Sequence, residues 1–335
     1  MKHRLVKRLL QNIQPSNIFT LIDVGSMGGI EAEWKCIDED IKVVGFEPDE
    51  REFAKLLPSS KKLFLNIALS QEQNDLKFYV SREPGNSSIY KPNFDKLGDF
   101  PDCKRFETVS EHLIPASKVS TLDIALRENQ IRDADFLKLD TQGSELSILK
   151  GGCDYLKDRI LGLKVEVEFV EMYRGQPLFA DVDGFIQKSG FQLMDLRRAY
   201  FKRADYIGYL DKGQMIFGDV LYFKEADCFF SSLENEDHQY VQDKIIKFIA
   251  ACLVYGASNY AVFILNQARE RSYITDDLQA ELFHAIKSEE YRLKNLIFVG
   301  YNSLKFFYRR FRRRFWPRPL DWADGDSFSG NPMFH

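Results

Sequence analysis

The chain has 335 residues, 44% hydrophobic and 29% charged, enough for one large core with an appendage or for two domains, with little expected disorder. A formal net charge of -4 argues against a general nucleic-acid binder, which needs a basic excess over one face. Five scattered cysteines without C-x-x-C or Cys/His pairing argue against a disulfide framework or zinc site and suit a reducing compartment.

Residues 1–18 form a basic, amphipathic helix without the continuous apolar run of a secretory signal, so a cytoplasmic location is expected. Residues 19–24 read as a buried parallel strand, followed by a turn at Gly25, Gly28 and Gly29 and a helix over 30–36. A second strand at 42–46 ends in Glu47-Pro48-Asp49, a helix follows over 50–57, and a third strand spans 62–67. Residues 76–80 alternate as an antiparallel strand does, and 82–118 form a long polar stretch of the kind that is usually functional or locally disordered. Residues 119–128 read as a strand end and helix, and the fourth parallel strand spans 136–139. It runs into a polar turn with Asp140, Gln142 and Glu145 and then a short helix. Strands at 161–169, 190–196 and 219–223 and a helix at 181–189 complete a mostly parallel, doubly wound α/β sheet ending near Lys224. Beyond it, 239–255, 259–271, 276–290 and 292–314 read as helices. The apolar stretch 248–268 is broken by Gly256, Ala257, Ser258 and Asn259, so two packed helices are expected there and not a membrane span.

Ligands of open α/β sheets gather at the carboxyl ends of the strands. The glycine turn after the first strand lets backbone approach a nucleotide-like ligand, and Glu47, at the end of the second, stands where an acidic side chain accepts ribose hydroxyls. Together they point to an adenosine-bearing cofactor, against the plainer reading of a tight turn and a helix cap. The G-x-G-x-x-G spacing of a dinucleotide cradle is imperfect, and Asp23 would repel a pyrophosphate but suits a cationic, amino-acid-bearing ligand. S-adenosylmethionine fits better than NAD.

The runs LIDVGSMGG (21–29), VVGFEPD (43–49), NIALS (66–70), GNSSIY (85–90), VSTLD (119–123), DFLKLDTQGSELSILKGG (135–152) and KVEVEFVEMYRGQPLFADVDGFIQKSGFQLMDL (164–196) occur in the order of a known family. Over residues 19–224 the chain resembles an FkbM-type S-adenosylmethionine-dependent methyltransferase. The resemblance implies a class I, Rossmann-like fold with seven strands and O-methylation of a sugar, glycolipid or polyketide hydroxyl. It implies that Asp23, Gly25, Ser26 and Gly28 line the methionine and ribose portions of the cofactor, that Glu47 holds the ribose, and that Asn66 and Ala68 lie against adenine. It puts Asp140 facing the sulfonium. Gln142 stands where many relatives carry glutamate, which removes one carboxylate and leaves a metal requirement open. The loop Asn86, Ser87 and Ser88, with Gln142, Tyr173 and Arg174, supplies candidate acceptor contacts.

A hydroxyl acceptor must lose its proton, so a base or a metal is expected. Asp140 is the candidate base, or one ligand of a divalent cation with Glu166 and Glu168, an oxygen set suited to Mg²⁺ or Mn²⁺. The structural alternatives are an N-cap role for Asp140 and ion pairs from Lys138, Lys164 or Arg174 to the two glutamates. Glu145 reads as a structural carboxylate at the helix start.

Residues 304–319 place seven basic residues among Phe306, Phe307, Tyr308, Phe311, Phe315 and Trp316, a pattern suited to an anionic membrane surface or partner. The expected organisation is an N-terminal helix (1–18), a methyltransferase domain (19–224) and a helical extension (225–335). The expected function is S-adenosylmethionine-dependent O-methylation of a sugar, glycan or glycolipid intermediate in the cytoplasm, peripheral to the inner face of the membrane. The rivals are a Rossmann-type NAD-dependent oxidoreductase and a non-catalytic scaffold that assembles through its helical tail.

Overall fold

The computed structural model describes residues 2–203 and 213–296. The basic tail at 304–319, and all but the start of the helix expected at 292–314, lie outside the described residues.

The central sheet has seven strands: β1 (Thr20–Val24), β2 (Lys42–Phe46), β3 (Lys62–Leu65), β4 (Phe136–Leu139), β5 (Gly162–Glu168), β6 (Phe191–Phe201) and β7 (Gln214–Lys224). Their order is β6-β7-β5-β4-β1-β2-β3, with β1 to β5 parallel and β7 antiparallel to both β5 and β6. This is the expected seven-stranded, doubly wound arrangement. The chain order reverses between β1 and β4, so the carboxyl ends of these two neighbours open a crevice.

The apolar runs of β1, β2 and β4 form strands because they are covered on both faces, and every residue of β1 and β4 is buried. Two strands extend beyond their sequence signal. β6 and β7 are each 11 residues long, because a hairpin continues through Asp195, Arg197 and Arg198, whose charges interrupt any apolar run that would announce it. The helices after β1 and β2 shrink to Ala32–Lys35 and Glu50–Phe53, four residues each. Between β3 and β4 the polar stretch is partly ordered by the antiparallel pair Leu76–Ser81 and Thr108–Ile114, and Ala68–Leu69 pairs in parallel with Val119–Ser120.

One face of the sheet packs Ile22, Val24, Val44, Phe46, Leu137, Leu139, Leu163, Val165 and Val167 against helices Leu122–Glu128, Glu145–Lys150, Cys153–Asp158 and Phe179–Lys188. Because the helices after β1 and β2 are too short to cover the other face, chain from both termini does so. Leu21, Val43, Phe136, Leu221 and Phe223 share one core with helix Lys2–Gln11 and with helices His238–Val254, Ser258–Glu270 and Asp276–Leu296. Trp34 ties these layers together, its indole N–H donating to the Tyr255 hydroxyl at 3.0 Å while Phe136 stacks on Tyr255 at 5.0 Å. At the amino ends of β1 and β4, a buried ion cluster pins the long C-terminal helix. Lys244 lies 2.6 Å and Lys247 3.1 Å from Asp135, which also accepts the Thr20 amide at 2.8 Å. Asp133 accepts from Tyr240 at 2.7 Å. Burial opposes its charge, but the two ammonium groups outweigh it and hold the Asp133 carboxyl down at about 2. No helix among the described residues is long and apolar enough to cross a membrane.

Candidate active site

A cleft of about 120 Å³, open at its mouth, lies over the carboxyl ends of β1, β2 and β4. The turn after β1 forms its floor. Gly25 has φ of 77°, and a Cβ there would meet the Asp140 carbonyl oxygen at 2.0 Å, so only glycine lets these two strand ends close up. Ser26 is fully buried and donates to the Asp23 carbonyl at 2.6 Å, which makes it part of the turn and not of the cleft wall. Gly28 has φ of 79° with open space around it and does not line the cleft. Met27 does.

Glu47, at the exit of β2, lines the cleft and is 6% exposed. Burial outweighs the Asp49 amide that it accepts at 2.9 Å and pushes its carboxyl up to about 7. Asn66 lies behind this wall, its amide donating to the Glu47 and Pro48 carbonyls at 2.9 and 3.2 Å. The apolar surface expected beside adenine comes instead from Ile67, Ala68 and Leu69, with Phe46 and Phe78.

The period of two puts Asp23, Lys138, Asp140, Lys164, Glu166 and Glu168 on one face of the sheet at its carboxyl end. Asp23 is buried beneath the cleft, 3.2 Å from Lys138. Burial raises its carboxyl to about 6 against the pull of that ammonium. Lys138 also donates to the Gly25 carbonyl at 2.9 Å and lies 3.8 Å from Asp140. Burial would lower its pKa, but Asp23, Asp140 and Glu31 raise it, so this lysine keeps its charge.

Asp140 reaches the cleft, with a side chain 40% exposed. It is not a helix cap, because the next helix starts at Glu145 behind Ser144. Glu145 closes the turn as a structural carboxylate, accepting from the Thr141 amide (2.7 Å), the Thr141 hydroxyl (2.8 Å) and the Gly143 amide (2.9 Å). Gln142 is held at φ of 57° inside this turn. Its Nε2 donates to Asp140 Oδ1 at 3.2 Å and to Glu166 Oε1 at 2.5 Å, and its Oε1 lies 2.8 Å from the Tyr173 hydroxyl.

Glu166 and Glu168 do not line the cleft. Burial, with neighbouring carboxylates adding to it, raises both well above the ordinary glutamate value. The ion pairs considered for them go elsewhere. Lys138 pairs with Asp23, Lys164 lies 2.7 Å from Glu31, and Arg174 lies 2.9 Å from Asp95. Among the described residues no three His, Cys, Asp or Glu side chains converge as a metal site, and the expected trio of Asp140, Glu166 and Glu168 is interrupted by the Gln142 amide. The divalent cation expected on these three carboxylates does not fit this arrangement.

The loop expected to touch the acceptor divides in two. Ser87 lines the cleft together with Pro84 and Gly85. Ser88 is buried and donates to the Gln142 carbonyl at 2.7 Å, and the Asn86 carbonyl lies 3.0 Å from the fully buried Tyr173 hydroxyl. Ser88, Asn86 and Tyr173 therefore latch the loop to the Asp140 turn. Arg174 is exposed on the far side of that latch, in its ion pair with Asp95.

The residues fit S-adenosylmethionine. Glu47 offers a carboxylate for a diol, Ile67 to Leu69 an apolar slot for a base, and Gly25 a floor without a side chain. Sequence reading missed Lys138, Met27 and, apart from Ala68, the apolar wall. For Lys138 a signal was present, since it alternates with Asp140 along β4.

Residues 31–193, just under half of the chain, match the family model of the methyltransferase FkbM domain. No curated protein matches the chain. Among solved structures it is similar to methyltransferase FkbM from Methylobacillus flagellatus KT, at 17% identity over 62% of this chain and 44% of that one, with a TM-score of 0.31. The aligned region thus spans less than half of that protein. A second is a putative S-adenosylmethionine-dependent methyltransferase from Listeria monocytogenes, at 12% identity over 66% of this chain and 99% of that one, with a TM-score of 0.30. The part of the chain that carries Glu47, the 84–90 loop, Asp140 and Gln142 is the part that matches the methyltransferase FkbM domain.

Proposed function

We propose that this protein is an S-adenosylmethionine-dependent O-methyltransferase that acts on a hydroxyl of a sugar, glycan or glycolipid. The observation that carries the reading is the half-exposed Asp140 carboxylate on the wall of the same cleft that Glu47 lines. When bound, S-adenosylmethionine supplies a methyl group on a sulfonium sulfur, which keeps the electron pair of the broken C–S bond. Asp140 would hold the acceptor hydroxyl and take up its proton. Lys138, buried beneath, keeps the Asp140 carboxylate in place. Ser87 adds a hydroxyl to the same wall, which suits a hydroxylated acceptor.

A dinucleotide reading is weaker, because the helix after the glycine turn has four residues and little dipole to offer a pyrophosphate. Calorimetry with S-adenosylhomocysteine and with NADH separates the two, and the proposal requires binding of the former only. Transfer of a labelled methyl group to glycan fractions tests the acceptor class, and labelling confined to amines or thiols would reject it. The basic, aromatic segment 304–319 supports a location at an anionic membrane surface. Equal flotation with anionic liposomes before and after deletion of residues 303–335 would remove that part.

A further inference from the structure

Asp140 and Glu166 come from neighbouring strands, and what stands between them is an amide. Gln142 Nε2 is 3.2 Å from Asp140 Oδ1 and 2.5 Å from Glu166 Oε1, so both amide hydrogens have a carboxyl oxygen to meet. Turning the amide over would set its Oε1 against the Asp140 and Glu166 oxygens, and Gln142 is held at φ of 57° in the turn that Glu145 closes, with the Tyr173 hydroxyl 2.8 Å from Oε1. The Ser88 hydroxyl adds a bond to the Gln142 carbonyl at 2.7 Å. Backbone, carbonyl and side chain of one residue are thus all held.

We propose that Gln142 is a positioning residue that does by hydrogen bonding what a divalent cation does between carboxylates: it spans Asp140 and Glu166 and sets the Asp140 carboxylate against the cleft. This rests on the reading of Asp140 as the group that meets the acceptor. A hard cation needs oxygen lone pairs converging at about 2.0–2.6 Å, and an amide nitrogen, its lone pair delocalised and its hydrogens aimed at both carboxyls, offers none. The amide therefore fills the place a cation would take. It follows that replacing Gln142 by glutamate turns the bridge into a third carboxylate and builds the cation site that the wild-type chain lacks.

The full-length protein is titrated with Mn²⁺ by electron paramagnetic resonance, as wild type, Gln142→Glu and Gln142→Met, with S-adenosylhomocysteine binding measured in parallel. The wild type should show no stoichiometric Mn²⁺ site, while Gln142→Glu should gain one of at least about tenfold higher affinity that Asp140→Asn removes again. Gln142→Met should keep S-adenosylhomocysteine affinity but lose about 10–100-fold in kcat with a displaced pH profile, since the carboxylates lose their bridge. A stoichiometric wild-type Mn²⁺ site abolished by Asp140→Asn overturns the proposal, and that arm needs no variant of Gln142 to fold. A folded Gln142→Glu protein that gains no Mn²⁺ site, or a Gln142→Met protein with unchanged kcat and pH profile, overturns it equally. Loss of S-adenosylhomocysteine binding by the wild type would instead sink the methyltransferase reading and leave the Mn²⁺ result standing.

Discussion

Glu47 must hold a charge to accept a diol, yet burial pushes its carboxyl up to about 7. Its folded value lies above the ordinary glutamate value of 4.5, so its contribution to stability is full below pH 4.5 and is lost as pH rises through about 7. Asp23, raised from 3.8 to about 6, has the same sign in a lower window. Two outcomes follow for Glu47. S-adenosylhomocysteine should bind more weakly at pH 6 than at pH 8, and Glu47→Gln should bind about tenfold more weakly at pH 8 with that pH dependence gone, as calorimetry at the two values will show. Asp140→Asn should lower kcat by about 100-fold to 10,000-fold and leave S-adenosylhomocysteine affinity nearly unchanged. A drop in affinity as large as the drop in kcat would move Asp140 from the acceptor to the cofactor. That Gly25, Glu47, Ala68 and Asp140 line one cleft was legible because each stands at or just past a strand end. Ser26, Asn66, Ser88 and Tyr173 were placed in the site for their chemistry, whereas their hydrogen bonds turn inward and build its walls.

At the scale of elements, the Asp140 turn is one unit with three anchors: the Gly25 floor, the Glu145 carboxylate and the Ser88–Tyr173 latch. Gly25→Ala meets both the Asp140 carbonyl and a left-handed φ, so it should destabilise the protein by about 2 kcal/mol or more in urea unfolding. Gly28→Ala shares the positive φ but has open space, so it should cost about 1 kcal/mol. Equal effects would mean that the close approach of β1 and β4 carries no weight. The strands of the parallel half were readable from their apolar runs because burial on both faces demands such runs. The short helices after β1 and β2 were overestimated because periodicity locates an amphipathic stretch without reporting how much of it finds a surface to cover.

For the whole molecule, the consequence of those short helices is a sheet face covered by chain from both termini. The buried Asp133, Asp135, Lys244 and Lys247 join residues more than a hundred positions apart. Lys247→Met leaves two carboxylates facing one ammonium inside the core and should cost about 3–5 kcal/mol in unfolding free energy. A change under 1 kcal/mol would show that water reaches the cluster. Because Asp133 is held at about 2, below the ordinary aspartate value of 3.8, its contribution to stability is present above pH 3.8 and is lost as pH falls through about 2. Residues 225–296, expected as an appendage, share their core with β1, β4 and β7.

Sequence alone determined the class of the fold, the crevice between β1 and β4, and the acidic residues at its rim. These are local properties: a strand's burial is written in its own apolar run, and period two tells which of its side chains share a face. Tertiary structure alone decided what each polar group meets. The Asp23–Lys138 pair, the Gln142 bridge to Glu166 and the C-terminal helices over the sheet all depend on segments remote in sequence. No spacing within one segment encodes the partner that folding brings to another.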